Sequence, residues 1–476
     1  MIVKNTFYNL LGLGLPLVVA IFTIPVLIES LGVARFGVLT LIWAIVSYIS
    51  LLDMGLGRAL TLELSVLIAK RKFWRIPKVL GTTYFLMAII GFVLAGLTAV
   101  FSEKLAYLLK GLENYQEVIS ALYVMAFAIP FVILSAGARG VLEANGRFDL
   151  VNIIRVPVGV FTFLGPLFVV LFWDTRLDYI ALVLLAVRVM SLIVYYWYAS
   201  KTIPENFRRL QIDLRYAKPL VSNGGWMTVS NIISPLMGYI DRFLIGAIVS
   251  ASAVAYYATP HEVVTKLWII PGALTAVLFP VFASAFLEKT DRSSFLYEKS
   301  IEVIFAVMLP LCGFFILFEQ EILSFWIGSD FANESRYIFA LLALGILINS
   351  LAHVPFTAIQ SSGNSKKTAL IHLAEFPFFL LLLVWLVNVY GPLGAALAWV
   401  LRMSVDTVLM FYFSSVAPAI QNNNLTSISS YIFIVSVMLL LIFLNIDIFW
   451  KASVELLIIA YAAIKLYFQI KNRLVI

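Results

Sequence analysis

Long apolar stretches, each broken by a short charged or turn-forming segment, run the whole length of the 476-residue chain. A helix of about 20 apolar residues crosses a hydrocarbon core about 30 Å thick. Reading for such runs predicts spans at roughly 7–28, 37–58, 79–101, 117–138, 156–173, 179–199, 220–248, 253–286, 295–318, 335–357, 370–390, 393–415, 429–446 and 453–470. The expected fold class is therefore an all-α polytopic membrane protein with about fourteen transmembrane helices. No small-residue cleavage site follows the first run, since Glu29-Ser-Leu-Gly leads straight into the second, so it reads as a span and not a leader.

Composition agrees with the pattern. Hydrophobic residues make up 62% of the chain and charged residues 12%, with a mean hydropathy of +1.00, far from the ~25% charged of soluble domains. Little chain is left for a soluble catalytic domain, and the expectation is a non-enzyme. One cysteine, Cys312, and three histidines exclude a disulfide framework and a Cys/His metal cluster.

The net charge of +7 is a topology signal before it is anything else. Lys and Arg collect at 70–78, 139–155, 201–218, 289–299 and 366–367, on loops of one side. The opposite side holds Arg35, Lys104, Lys110, Arg176, Arg336 and Lys451 among many acids. Basic loops stay cytoplasmic, so both termini are expected inside, and a nucleic-acid partner is not.

Matching features recur along the chain at a nearly constant offset. Asn5 answers to Asn223, Pro16 loosely to Pro235, and Gly140-Val-Leu-Glu-Ala-Asn-Gly146 to Thr357-Ala-Ile-Gln-Ser-Ser-Gly363. In the sixth and twelfth spans Ala186-Val-Arg188-Val-Met-Ser191 answers to Val400-Leu-Arg402-Met-Ser404. Two parallel repeats of six helices follow, related by an axis along the membrane normal. The expected division is 1–205, 206–420 and a pair of additional helices in 421–476.

Five basic residues fall inside spans: Arg58, Arg188, Arg242, Lys266 and Arg402. Each would cost about 2.5–3.5 kcal/mol facing lipid at the helix centre, so a cavity or a partner is required. Arg188 has no acid within one helical turn, and Ser191, Tyr195 and Tyr198 share its face; it reads as a cation lining a water-filled cavity. Arg402 has Asp406 four residues on, which leaves a pair and a cavity contact equally open. Glu262 with Lys266, and Asp241 with Arg242, read first as structural pairs and second as cavity groups. Acids inside spans can couple transport to an ion gradient, and the candidates are Asp53, Asp241, Glu262, Glu375 and Asp406. The three histidines read as satisfied polar residues. Asn223, Ser230, Ser234 and Asp241 put one polar stripe along the seventh span, and Asn5 with Asn9 do the same in the first.

Lys4-Asn-Thr-Phe-Tyr-Asn9, Leu31-Gly-Val-Ala-Arg-Phe-Gly37 and Leu51-Leu-Asp-Met-Gly-Leu-Gly-Arg58 resemble the N-terminal pattern of bacterial polysaccharide transporters, the O-antigen flippase (Wzx-type) family. Gly140-Val-Leu-Glu-Ala-Asn-Gly-Arg-Phe148, Tyr239-Ile-Asp-Arg-Phe-Leu-Ile-Gly246 and Phe325-Trp-Ile-Gly-Ser-Asp-Phe331 look like it too. The resemblance implies the multidrug/oligosaccharidyl-lipid/polysaccharide exporter superfamily, with two six-helix bundles forming a V around a cavity of alternating access. It implies a cargo of undecaprenyl-pyrophosphate-linked oligosaccharide moved across the bacterial cytoplasmic membrane. No cofactor is expected, and a proton or sodium gradient is the expected energy source. A monomer is expected, with a polysaccharide polymerase and a chain-length regulator as candidate partners. A drug/cation antiporter of the same fold and a peptidoglycan-precursor flippase are the alternatives.

Overall fold

Apolar runs of this length have one way to satisfy their backbone groups without water, and the chain takes it: every regular element among the described residues is helical. The computed structural model describes residues 2–49, 56–112, 114–203, 210–217, 236–275, 278, 282, 292–362, 365–415, 425–444 and 446–471.

The helices are α1 (Ile2–Leu31), α2 (Val33–Ile49), α3 (Leu56–Ala69), α4 (Ile76–Leu108), α5 (Tyr115–Ala144), α6 (Phe148–Phe172) and α7 (Leu177–Thr202). After them come α8 (236–248), α9 (Ala251–Val264) and α10 (269–275). The chain continues with α11 (Arg292–Leu317), α12 (Glu319–Trp326), α13 (Ser329–Ser361), α14 (Ser365–Ser415), α15 (Leu425–Ile442) and α16 (Ile448–Lys471). Seven described helical stretches are long and apolar enough to cross a membrane.

Local chemistry sets the ends and breaks. The Asn114 side chain caps α5 by accepting the Glu117 N–H at 3.3 Å, and Glu117 in the first turn suits the positive helix end. In α14 Gly391 has a φ of 60° and Pro392 follows it, a left-handed position that glycine adopts at no cost. The helix is thereby divided into two arms, 365–390 and 392–415, corresponding to the eleventh and twelfth predicted spans. The span predicted at 253–286 is less regular than its apolar run. A 3₁₀ turn, Thr265–Trp268, interrupts it, because Pro271 offers no N–H and its ring crowds the carbonyl four residues back. A further difference is α12, a short helix where the pattern showed only a connection.

Two compact units divide the chain at 255/256. In the first, α5 is the central helix and packs on α2, α3, α4 and α7, while α1 lies on α6. Leu60, Val79, Met87, Ile133, Val141 and Tyr195 belong to one core cluster there. At one end of this unit both Glu117 carboxylate oxygens accept from Arg35, at 2.6 and 2.7 Å, and one also accepts the Leu177 N–H at 2.6 Å. At the other end segment 210–217 docks on α4: the Gln211 N–H donates to the Pro77 carbonyl at 3.1 Å, and Thr82 exchanges hydrogen bonds with the Asp213 backbone.

In the second unit α13 holds the equivalent central place, mostly buried and packed on α11, α12, α14 and α15. Helices α5 and α13 correspond to the fourth and tenth predicted spans, which are repeat partners. Phe92, Phe172, Trp385 and Phe449 stand exposed on outward faces, the character of a lipid-facing surface.

Candidate functional site

Among the described residues each unit carries a polar locus built on one of the two arginines that the sequence pairs, Arg188 and Arg402. In the first unit α7 presents Arg188, α6 presents Thr162 and the central α5 presents Ser135. The Arg188 guanidinium donates from Nη2 to Thr162 Oγ1 at 3.3 Å, and its buried Nε has no partner. No carboxylate among the described residues lies within ion-pair reach of it. One turn away, Ser191 and Ser135 hydroxyls face each other at 3.5 Å. Tyr195, predicted to line the same cavity, is buried in the core with its hydroxyl donating to the Val151 carbonyl at 3.4 Å.

In the second unit the two arms of α14 present His372 and Glu375, and Arg402 and Asp406, while the central α13 presents Asn349 and His353. His372 Nε2 lies 3.4 Å from Asp406 Oδ1, and Asn349 Nδ2 donates to Asp406 Oδ2 at 3.0 Å. One donor atom from each of His372, Glu375 and Asp406 falls within 4.8 Å of the others, and all three residues are buried. Both Glu375 carboxylate oxygens are buried with no hydrogen-bond partner. Glu375 and Arg402 also line a cleft of about 670 Å³ between the arms, walled by Phe378, Phe379 and Leu401, with Lys367 toward the start of the helix. The Arg402 guanidinium carbon lies 5.4 Å from the Phe379 ring centre.

The correspondence extends beyond the arginines. Ser135 and Asn349 stand 214 residues apart, the same spacing as Arg188 and Arg402, and Ser191 and Asp406 differ from it by one. Around its arginine the first unit has neutral hydroxyls, and the second has an amide, acids and an imidazole.

The other predicted residues are dispersed. Asp241 and Arg242 are buried together in α8, where the Arg242 N–H donates to Asp241 Oδ1 at 2.7 Å and the guanidinium lies 5.2 Å from the Tyr239 ring centre. Lys266 pairs with Glu262 at 3.2 Å, both partly exposed. Asn5 and Asn9 lie on α1 and Arg58 on α3, and their side chains are outside the described set. Asp53, Asn223, Ser230 and Ser234 lie outside the described residues altogether. Sequence reasoning did not single out Thr162, Ser135, Asn349 or the place of His372 in a cluster. For Ser135 and Asn349 the signal was the 214 offset, for His372 the three-residue spacing to Glu375, which puts both on one helix face, and for Thr162 there was none.

Comparison with known proteins agrees with this architecture. Two solved structures share the fold. One is the lipid II flippase MurJ in an inward closed conformation, at a TM-score of 0.72 and 14% identity, covering 99% of each chain. The other is an inward-facing multidrug resistance MATE transporter, at a TM-score of 0.70 and 14% identity, covering 90% of this chain and 96% of that one. Residues 26–336 match the family described as polysaccharide biosynthesis protein. A Shigella flexneri protein named "Putative O-antigen transporter" is 34% identical over 411 residues, 86% of this chain and 96% of that protein. The chain therefore belongs to the polysaccharide biosynthesis protein family, as an all-helical membrane protein of the O-antigen flippase group.

Proposed function

We propose that the protein moves an undecaprenyl-pyrophosphate-linked oligosaccharide, the repeat unit of an O-antigen, capsule or related surface polymer, from the cytoplasmic to the outer leaflet of the bacterial inner membrane. It does so by alternating access, coupled to an ion gradient, with both termini in the cytoplasm. The observation that carries this reading is Arg188. A guanidinium held among apolar helices with one hydroxyl contact and no described carboxylate is available to an anion, and its planar fork matches phosphate oxygens in pairs. A pyrophosphate head joined to a lipid tail has the complementary character: anionic where it must cross, apolar where it stays in the bilayer.

The test is Arg188→Ala and Arg188→Lys in a strain that depends on this protein for surface polysaccharide. The alanine variant is expected to abolish polymer, and the lysine variant to retain part of it, because an ammonium keeps the charge without the paired geometry. Normal polymer levels with alanine, at normal protein abundance, would overturn the assignment.

A further inference from the structure

We infer that His372, Glu375 and Asp406 form a proton-binding relay, the cation site of the second unit. The inference rests on the transport reading for its purpose, but its occupant follows from the cluster alone.

The first argument is the state of Glu375. Its side chain is more than nine-tenths buried, and neither carboxylate oxygen has a hydrogen-bond donor. A bare carboxylate among helices carries a desolvation cost that a hydrogen bond or a bound cation offsets. The second is the convergence of donors from separate helical segments. Glu375 and His372 come from one arm of α14 and Asp406 from the other, with donor atoms of the three within 4.8 Å of one another. Asn349 on α13 fixes one Asp406 oxygen by donating to it at 3.0 Å, so the other oxygen is turned to His372 Nε2 at 3.4 Å. The His372 Nδ1 is buried without a partner, leaving the imidazole a free nitrogen with which to take or give a proton.

Charge counting fixes the occupant's charge, and the chemistry of the side chains its identity. The charged or titratable groups about the cluster are Glu375, Asp406, His372, Arg402 and, from α13, His353. Helix α13 is the principal described element packed on α14. Its acids, Asp330 and Glu334, lie at its far end. Lys367 lines the same cleft but starts about 12 Å away along the helix. Two carboxylates against one guanidinium leave one negative charge uncancelled when both histidines are neutral. One monovalent cation, a proton or a sodium ion, cancels it, whereas a divalent metal would leave a net positive charge in an apolar setting. Intramembrane chains of Asp, Glu and His are suited to passing protons.

The repeat sharpens the assignment. The corresponding place in the first unit holds Thr162, Ser135 and Ser191 around Arg188, groups that do not ionise near neutral pH and leave that locus an anion site. The cation site is thus a feature of the second unit and not of the scaffold.

The experiment uses the purified full-length protein in lipid nanodiscs, without cargo. Infrared difference spectra are recorded between about pH 8 and about pH 5.5, a range in which ordinary carboxylates stay ionised. The expected result is a neutral-carboxyl band that Glu375→Gln removes or halves, that Asp406→Asn alters, that His372→Gln shifts in midpoint, and that Glu143→Gln, a surface change beside Arg139, leaves intact. Circular dichroism melting of each variant establishes that it is folded; should Asp406→Asn fail to fold, Glu375→Gln and His372→Gln carry the test. No band in the wild type, a band unchanged in folded Glu375→Gln, loss of the pH response on adding sodium, or stoichiometric metal in elemental analysis would each overturn the relay. Because no cargo is present, a missing band leaves the flippase reading to the Arg188 test, and loss of that reading leaves the band as it is.

Discussion

The polar locus of the first unit and that of the second occupy matching positions in a repeated scaffold, yet their chemistry is opposite. Around Arg188 the neighbours are hydroxyls; around Arg402 they include Glu375, Asp406 and His372. The packing that surrounds them is alike: a buried central helix, α5 or α13, lies against the helix or arm that carries the arginine. Each packing tolerates a buried arginine, and the residues about one turn away set the balance of charge around it. A transporter that must accept an anionic cargo and a cation gains from such division, since a site with both fixed charges would neutralise itself.

The largest effect expected is from erasing that difference. Thr162→Asp would place a carboxylate on the described partner of Arg188 and convert the first locus toward the second. Polymer export should fall by about tenfold or more, since ~1.4 kcal/mol of lost cargo affinity already gives that factor. Unchanged export by a normally abundant variant would break the comparison.

The units also differ in how their ends are fastened. Glu117→Ala strands both the Arg35 guanidinium and the Leu177 N–H of the first unit, a part-buried pair with a buried acid, at about 1–3 kcal/mol. Glu321→Ala in the second unit removes a Lys451 contact at 3.0 Å whose acid is more than a third exposed, and should cost about 0–1 kcal/mol. Thermal unfolding in detergent would compare them, and equal shifts would refute the ranking.

Helix packing gives a smaller contrast. A Cβ at Gly345 would press into the Trp399 ring, which is nearly fully buried, whereas one at Gly137 meets the flexible end of Met87. Gly345→Ala should lose about 1–3 kcal/mol, and Gly137→Ala less, because an unbranched thioether can move aside. The same melts, or expression level, would check this.

The smallest effect is local to segment 210–217. A hydrogen bond from Arg215 holds the Asp213 carboxyl down at about 2. A depressed acid contributes stability above its unfolded value, near 3.9, and loses it as pH falls through the folded one. The contribution of this carboxyl to the order of segment 210–217 should therefore fall below about pH 3.9 and be gone by about pH 2. Asp213→Asn should loosen the segment already at neutral pH, read as faster amide exchange in residues 210–217 with the rest unchanged.

Much of the fold was legible beforehand. Apolar runs long enough to cross a bilayer become helices because unsatisfied backbone is untenable in hydrocarbon. The division of α14 into two arms was legible as a Gly-Pro between two runs. The 3₁₀ turn at Thr265–Trp268 was not, because an apolar run shows hydropathy and not the clash of one proline ring. Arg188 could be picked out as a lone cation because acids are scarce near it in sequence. The environment of Arg402 could not be settled that way: Asp406 sits at pairing distance along its own helix, but it is engaged by His372 and Asn349 from elsewhere in the fold.

By itself, then, the sequence determined which segments are helical and which of their residues are charged, since both follow from local transfer free energy along one chain. Which charges meet was decided by tertiary structure. His372, Glu375 and Asp406 converge because the turn at Gly391 folds two arms together and α13 packs against them. Thr162 and Ser135 share the Arg188 locus because α5, α6 and α7 pack around one core. Burial turns such meetings into chemistry, since in a low-dielectric interior each missing partner costs what water would otherwise have supplied.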